Sequence, residues 1–144
     1  MTADHVMTSA ANGVGLAGFP TTAEAARACR DHDIAVMMGA PTLIRGTSHS
    51  GSVAAETLAR ADTPNILSLG YVPSALSLAS FRLAAVWADL SRGVATVTRS
   101  PARTARLDDR GALVARLRGS VQRAGTVGDT PLLRGVRCCG AQVA

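Results

Sequence analysis

Short apolar runs alternate with amphipathic stretches along the first two thirds of the chain. Val14–Phe19, Ile34–Met38 and Asn65–Leu69 are apolar segments of strand length, and turn residues bound each of them. A stretch with helical spacing follows each run. Because this alternation is typical of a parallel sheet, we predict three parallel strands, each followed by a helix.

The predicted helices have start signals of different kinds. The first opens at a capping box over Thr21–Glu24 and ends near His32. The second covers Val53–Ala61, after a polar segment. The third has Pro73 at its first position, and its apolar face recurs at helical spacing through Leu76, Ala79, Leu83, Val86 and Leu90.

The pattern changes beyond Ser91. Leu113–Val114, Val121 and Leu132–Val136 are brief apolar groups separated by glycine and arginine, which predicts short antiparallel strands. Asp108–Gly111 carries the composition of a turn. The chain is therefore expected to be α/β, with a tail of small strands.

Composition limits the core and the partners. Hydrophobic residues make up 47% of the 144 residues and aromatics 3%, so the core must be built from alanine, valine and leucine. All fifteen basic residues are arginines, against ten acids, which gives a net charge of +5. The arginines are scattered and no aromatic platform accompanies them, so we interpret them as a solvated surface and expect no nucleic-acid partner.

The lack of recognisable targeting signals and the pattern of cysteines lead us to expect a cytoplasmic chain. No basic cluster followed by an apolar run stands near Met1, and no segment reaches the roughly 18 apolar residues of a membrane helix. Two of the three cysteines, Cys138 and Cys139, are adjacent, which makes a poor disulfide. We expect these and Cys29 to be free thiols.

The segment from Val36 to Val53 carries the candidate chemistry. It runs from an apolar stretch into a loop with hydroxyl, imidazole and guanidinium donors, and its glycines let backbone amides approach a ligand. This composition predicts a binding site for a phosphate-bearing anion, although an ordinary loop after a strand has a similar composition. The predicted substrate-binding residues are Arg45, Ser48, His49, Ser50 and Gly51.

Ordered motifs extend this interpretation to a family. They are Phe19-Pro20-Thr21-Thr22, Met38-Gly39-Ala40-Pro41, the run Arg45 to Val53, and Ile66-Leu67-Ser68-Leu69-Gly70-Tyr71. In order and spacing the chain resembles the C-terminal part of the amidohydrolase-type diphosphatases that act on alpha-D-ribose 1-methylphosphonate 5-triphosphate in the carbon-phosphorus lyase pathway.

The resemblance implies a fold and a metal-dependent hydrolysis. Residues 1–107 would be the C-terminal part of a (β/α)8 barrel, and residues 108–144 the remnant of a small β-sandwich. The full-length family implies a divalent metal such as zinc, but its His-x-Asp motif has no counterpart here, and Gly70 stands where the family has a metal-binding aspartate. Within the loop, Thr47 replaces a glycine and Ser52 an asparagine.

Two functions follow as hypotheses. The first is a truncated diphosphatase relative that is inactive alone, with no catalytic residue, metal ligand or cofactor of its own. The alternative is a non-enzymatic module that binds a phosphorylated ribose phosphonate, or that pairs with a complementary N-terminal half or with a second copy of itself. Three strands cannot close a barrel of about eight, so an apolar sheet face and strand edges are expected to be exposed.

Overall fold

The structure is a computed structural model that describes residues 2–45, 55–128 and 130–144, with the backbone alone at residues 55 and 56. The helices of these ranges are α1 (Ala3–Ala11), α2 (Ala23–Asp31), α3 (Ala40–Arg45), α4 (Ala55–Arg60), α5 (Ala75–Trp87), α6 (Leu90–Ala95) and α7 (Arg99–Thr104). The strands are β1 (Leu16–Gly18), β2 (Ala35–Gly39), β3 (Ile66–Ser68), β4 (Val121–Val127), β5 (Thr130–Cys138) and β6 (Ala141–Gln142).

The first sheet is parallel, as the strand and helix alternation predicted. Its order is β1-β2-β3, with Ala17 paired to Val36 and Met38 paired to Leu67. β1 and β3 lie within their predicted apolar runs and are shorter than them, whereas β2 is shifted by one residue from its run and ends at Gly39. The mixed α/β class is therefore confirmed, while the assignment of these strands to a segment of a (β/α)8 barrel stays a prediction.

The core lies on one face of this sheet. Val36, Met38 and Leu67 point to that face and are almost fully buried, together with Leu58 and Leu83 from the helices. Alanine is the commonest buried apolar residue among those described, as the composition predicted. On the opposite face Leu16 is 39% exposed, whereas Ile66 is 4% exposed. This opposite face is thus covered unequally, and it is more open at β1 than at β3.

Two helix starts differ from the prediction. The capping box at Thr21 is wrong by one residue, because Thr22 is the N-cap and its hydroxyl oxygen accepts from the amide of Ala25 at 3.1 Å. Pro73 is not the first residue of α5, which begins at Ala75 after the N-cap Ser74. In both cases the helix starts later than predicted, but only Thr22 caps its helix with a side chain, because Ser74 makes no such bond.

The predicted apolar stripe of α5 is wrong at its end. Ala88 adopts a left-handed conformation with φ of 51° and stops the helix, and the Asp89 carboxylate then accepts from the amide of Arg92 at 2.9 Å. Leu90 therefore starts α6 and is 57% exposed. The helices α6 and α7 occupy a region where short strands were expected.

The tail pairs with itself. β4 and β5 form an antiparallel hairpin, and β5 pairs with β6 in the order β4-β5-β6. The predicted strands at Val121 and Leu132–Val136 are confirmed, but Leu113 and Val114 lie outside any strand and are 83% and 60% exposed. The division of the chain at residues 107 and 108 stays a prediction.

Helices α1 and α3 were not predicted either. No element was assigned to the residues of α1, and α3 covers residues that were assigned to a loop. Pro41 stands in the first turn of α3, where a missing amide proton costs little. In the ranges that the structure describes, no helix combines the length and the apolar character needed to cross a membrane.

Candidate functional site

The carboxyl ends of three strands define the candidate site. β1, β2 and β3 are parallel and end at Gly18, Gly39 and Ser68, so the segments that follow them share one edge of the sheet. Ligands of open α/β sheets bind at this edge. We call it the carboxyl edge, and it consists of Phe19–Thr22, Ala40–Arg45 and Leu69–Ser74.

Arg45 extends this edge from the end of α3. Its side chain is exposed, and its guanidinium carbon lies 5.5 Å from the ring centroid of Tyr71. An exposed cation–π contact of this kind stabilises by roughly 0.5–1 kcal/mol. Because Arg45 follows β2 and Tyr71 follows β3, the contact joins two neighbouring segments of the edge.

A second arginine holds the helix that presents Arg45. Arg82, on α5, donates from Nη1 to the backbone carbonyl oxygens of Ile44 at 2.7 Å and Leu43 at 3.4 Å. The last carbonyls of a helix have no partner within the helix, so a guanidinium from another element satisfies them well. Arg82 therefore fixes the end of α3, and with it the backbone of Arg45.

Phe19 forms the other end of the edge. Its φ is +55°, and its amide donates to the carbonyl of Met37 at 2.9 Å. A Cβ on Gly39 would stand 3.1 Å from Cε1 of Phe19, so the ring packs closely over this glycine. Phe19 and Tyr71 are 52% and 66% exposed. Two aromatic side chains and one guanidinium thus face solvent along this edge.

Position 70 combines the lack of a side chain with a left-handed backbone conformation. Gly70 has a φ of +60°, and a Cβ built there would meet Pro41 at 3.5 Å, which is ordinary contact. Space therefore allows a larger residue, but the left-handed conformation disfavours one. The carboxylate that the family resemblance implies at this position is not present.

His5 and His32, the two histidines that the structure describes, each lie at the end of a helix. The ring of His5 lies beside the N-cap of α1, where its Nδ1 accepts from the amide of Thr2 at 3.2 Å. His32 is the exposed C-cap residue of α2, as its position in the sequence predicted. Neither histidine belongs to the carboxyl edge as defined above.

The predicted site is therefore described only in part. Arg45 is at the carboxyl edge, while Ser48, His49, Ser50 and Gly51 lie outside the described residues, and their role stays a prediction. Sequence reasoning missed Phe19, Tyr71 and Arg82 as site residues. A usable signal was available for the first two, because the chain holds four aromatic residues and two of them stand at the ends of predicted strands: Phe19 is the last residue of one run, and Tyr71 comes two residues after another.

A hydrolytic metal site does not fit the residues at hand. Such a site needs several converging histidine, cysteine or carboxylate ligands. Within residues 2–45, 55–128 and 130–144, no group of three or more such side chains is close enough together to hold a metal ion. Gly70 adds no ligand of its own. We therefore assign no metal-dependent step to the described residues.

Comparison with known proteins supports the family resemblance. No protein-family profile matches the chain, and no solved structure matches it significantly. Among curated proteins, alpha-D-ribose 1-methylphosphonate 5-triphosphate diphosphatase of Escherichia coli (strain K12) is 46% identical over 112 residues. The match covers 76% of this chain and 30% of that enzyme, so the chain spans about three tenths of its relative's length. The resemblance predicted from the motifs is thus confirmed, and over most of its length this chain is related to alpha-D-ribose 1-methylphosphonate 5-triphosphate diphosphatase.

Proposed function

We propose that the chain is a relative of this diphosphatase that binds a phosphate-bearing anion at its carboxyl edge and does not hydrolyse the triphosphate by itself. The ligand class is a phosphorylated ribose, as the substrate of the E. coli relative suggests. Arg45 is the described residue that would contact the phosphate oxygens, because a planar guanidinium offers two parallel donors to such a group.

One observation carries this proposal. The carboxyl edge presents the Arg45 guanidinium beside the Tyr71 ring, while the adjacent position 70 offers no carboxylate. An exposed guanidinium is suited to an anionic ligand, since it offers a positive charge and several planar donors. The same arrangement supplies neither a general base nor a metal ligand at position 70, so binding is better supported than catalysis.

Helix α5 supports binding at the same edge. It is thirteen residues long and starts directly after Leu69–Ser74, so its first amides and its positive dipole end are directed to the carboxyl edge. The Ser74 side chain makes no capping bond to those amides. The positive end of the α5 dipole would stabilise a phosphate bound near Arg45.

Binding is tested by titrating inorganic diphosphate and ribose 5-phosphate into the whole chain and following backbone amide shifts by NMR. Arg45→Ala should weaken binding by roughly tenfold or more, since a charge-assisted hydrogen bond contributes about 1.5–3 kcal/mol. Arg45→Lys should also weaken it, because lysine lacks the planar fork. Arg27→Ala removes an exposed arginine from α2 and serves as the matched control.

The positioning role of Arg82 gives a second test. Arg82→Met removes the donor to the carbonyls of α3 and should weaken diphosphate binding less than Arg45→Ala does. Saturable binding that is indifferent to Arg45→Ala would place the ligand elsewhere. A lack of saturable binding by the unaltered chain would end the proposal.

Catalysis is tested separately. With added zinc or manganese, the chain should release no diphosphate from the triphosphate substrate, and Gly70→Asp alone should not restore release, because one carboxylate does not make a metal site. Metal-dependent turnover that a chelator abolishes would contradict this part and leave the binding assignment intact.

A second candidate function rests on the open side of the first sheet. No strand lies beyond β1 in the described part of the chain, and Leu16 on that strand is 39% exposed. Free strand edges pair with other chains. A complementary barrel segment or a second copy of this chain would cover the edge, and sizing chromatography combined with light scattering distinguishes these cases from a monomer.

A further inference from the structure

Two adjacent cysteines form the turn between β5 and β6. Cys138 is the last residue of β5 and pairs with Ala141, which leaves Cys139 and Gly140 as the two central turn residues. Their φ angles are +51° and +87°, as a two-residue type I′ hairpin turn requires. Both cysteines are exposed, whereas Cys29 is buried.

A second segment of the chain contacts this turn. The Nε of Arg118 donates to the sulfur of Cys139 at 3.2 Å, and the Ser120 hydroxyl lies 3.8 Å from the sulfur of Cys138. The Ser120 oxygen also accepts from the amide of Cys139 at 3.3 Å. Two thiols, a cation and a hydroxyl thus meet at one exposed place, which we call the dithiol turn.

The position of Arg118 is itself fixed. Its amide donates to the carbonyl of Asp109 at 2.7 Å, which ties the segment before β4 to the turn after α7. Asp109 and Arg110 are the other charged groups that act electrostatically on the dithiol turn. They neutralise each other as an ion pair, with Arg110 Nε 2.7 Å from a carboxylate oxygen of Asp109. Arg118 therefore supplies the unbalanced positive charge beside Cys139.

These contacts favour the thiolate form of one sulfur. The hydrogen bond from Arg118 lowers the pKa of Cys139 below its usual value, and a hydrogen bond from the Cys138 thiol acts in the same direction. Burial instead raises the pKa of Cys29. Because the thiolate is the nucleophilic form of cysteine, Cys139 is the thiol best prepared to react.

We propose that the dithiol turn is a thiol–disulfide exchange site that accepts small disulfides such as oxidised glutathione, with Cys139 as the attacking thiol. The Cys139 thiolate attacks one sulfur of the disulfide, and a new S–S bond forms as the original S–S bond breaks. The second sulfur leaves as a thiolate and takes up a proton from solvent. Cys139 is thereby oxidised, and the departing sulfur is reduced.

Geometry favours a lasting mixed disulfide. Adjacent Cα atoms are about 3.8 Å apart, below the roughly 4.4–6.8 Å that disulfides span, so Cys138 is poorly placed to displace the bound thiol. Cys138 and Cys139 are both exposed, which leaves the turn open to a small disulfide.

The experiment exposes the reduced whole chain to oxidised glutathione and counts adducts by intact mass spectrometry. We expect one adduct, which Cys139→Ser abolishes and which both Cys138→Ser and Cys29→Ser retain. The reaction should be faster at pH 7 than that of an unstructured peptide with one cysteine. Arg118→Met should slow it roughly three- to tenfold at pH 7, because a smaller thiolate fraction is partly offset by a more nucleophilic thiolate.

Further comparisons separate activation from simple exposure. Arg118→Lys should recover part of the rate. The slower reaction of Arg118→Met should disappear at alkaline pH, where Cys139 is ionised in both proteins and the thiolate of the variant is at least as nucleophilic. Circular dichroism checks that each variant keeps its fold. The proposal is overturned if the adduct forms on Cys138, if Cys139 reacts no faster than the peptide, or if Arg118→Met leaves the rate at pH 7 unchanged.

Discussion

Gly93 provides a sharp test of how α6 packs on α5. A Cβ built on this buried glycine would stand 2.5 Å from the carbonyl oxygen of Ser80, 2.6 Å from Cβ of Ala84 and 2.8 Å from its Cα. The first distance is 0.9 Å shorter than the 3.4 Å at which ordinary contact begins. Gly93→Ala therefore cannot be accommodated by moving a flexible side chain, and the two helices must separate.

The cost can be bracketed from general values. Overpacking a core typically costs about 1–3 kcal/mol, and the better helix propensity of alanine returns about 1 kcal/mol. Two of the three close contacts are to backbone atoms, so the overpacking cost should lie at the upper end of the range of about 1–3 kcal/mol. Displacing α6 also strains the bond from the amide of Leu67 to the carbonyl of Thr96, at 3.0 Å, for about 1 kcal/mol more. We expect a net loss of about 2–3 kcal/mol.

The assay is urea unfolding followed through the fluorescence of Trp87, the single tryptophan. It reports on this junction, because the Arg92 guanidinium lies 3.9 Å from its ring centroid. Gly119→Ala is the matched control, since a Cβ there meets nothing within 4 Å, and it should change stability by less than about 0.5 kcal/mol. Ala84→Gly, added to Gly93→Ala, should recover part of the loss. Gly93→Ala at unaltered stability would refute the packing described here.

Two further predictions concern charge. Asp62 is half exposed and pairs with Arg30 at 3.2 Å and with Arg92. Asp62→Asn should therefore lower the free energy of unfolding by roughly 1 kcal/mol, and by less at high salt. Because asparagine tolerates the φ of +62° at this position, the change measured by urea unfolding reports on the lost charge. Hydrogen bonds from Arg110 hold the pKa of Asp109 below its usual 3.8. The stabilisation from the pair of Asp109 and Arg110 is therefore present above pH 3.8 and is lost as the pH falls through the lowered pKa of Asp109. Arg110→Gln should return this pKa toward 3.8, which an NMR titration measures.

The parallel sheet was predictable because its signals are local. Each strand coincides within one residue with an apolar run bounded by turn residues, and the helix after β1 starts with a threonine N-cap. The misassigned elements depend on single residues that override the pattern. Leu90 has helical spacing, but the left-handed Ala88 ends α5 first, and Asp89 caps a new helix. α3 escaped notice because it is six residues long and contains Pro41.

The candidate site was predictable at Arg45 but not in its surroundings. A guanidinium at the end of a strand-following segment can be found from sequence, as can the absence of a carboxylate at position 70. The contacts from Tyr71 and Arg82 depend on how β3 and α5 pack against α3. In the sequence, Tyr71 and Arg82 lie 26 and 37 positions from Arg45, so no local pattern indicates these contacts. The dithiol turn likewise needs Arg118 to approach from a separate segment.

The two sides of the first sheet have unequal consequences for association. On the β3 side, the outward amide of Leu67 already donates to the carbonyl of Thr96, so a visiting strand would have to displace α6. The β1 side has no such cover among the described residues. Head-to-tail pairing of the first sheet, β1 of one copy to β3 of the next, is therefore disfavoured, and so is a filament built by that route. Within the first sheet, the favoured edge pairing joins two β1 strands across a twofold axis, which closes after one dimer.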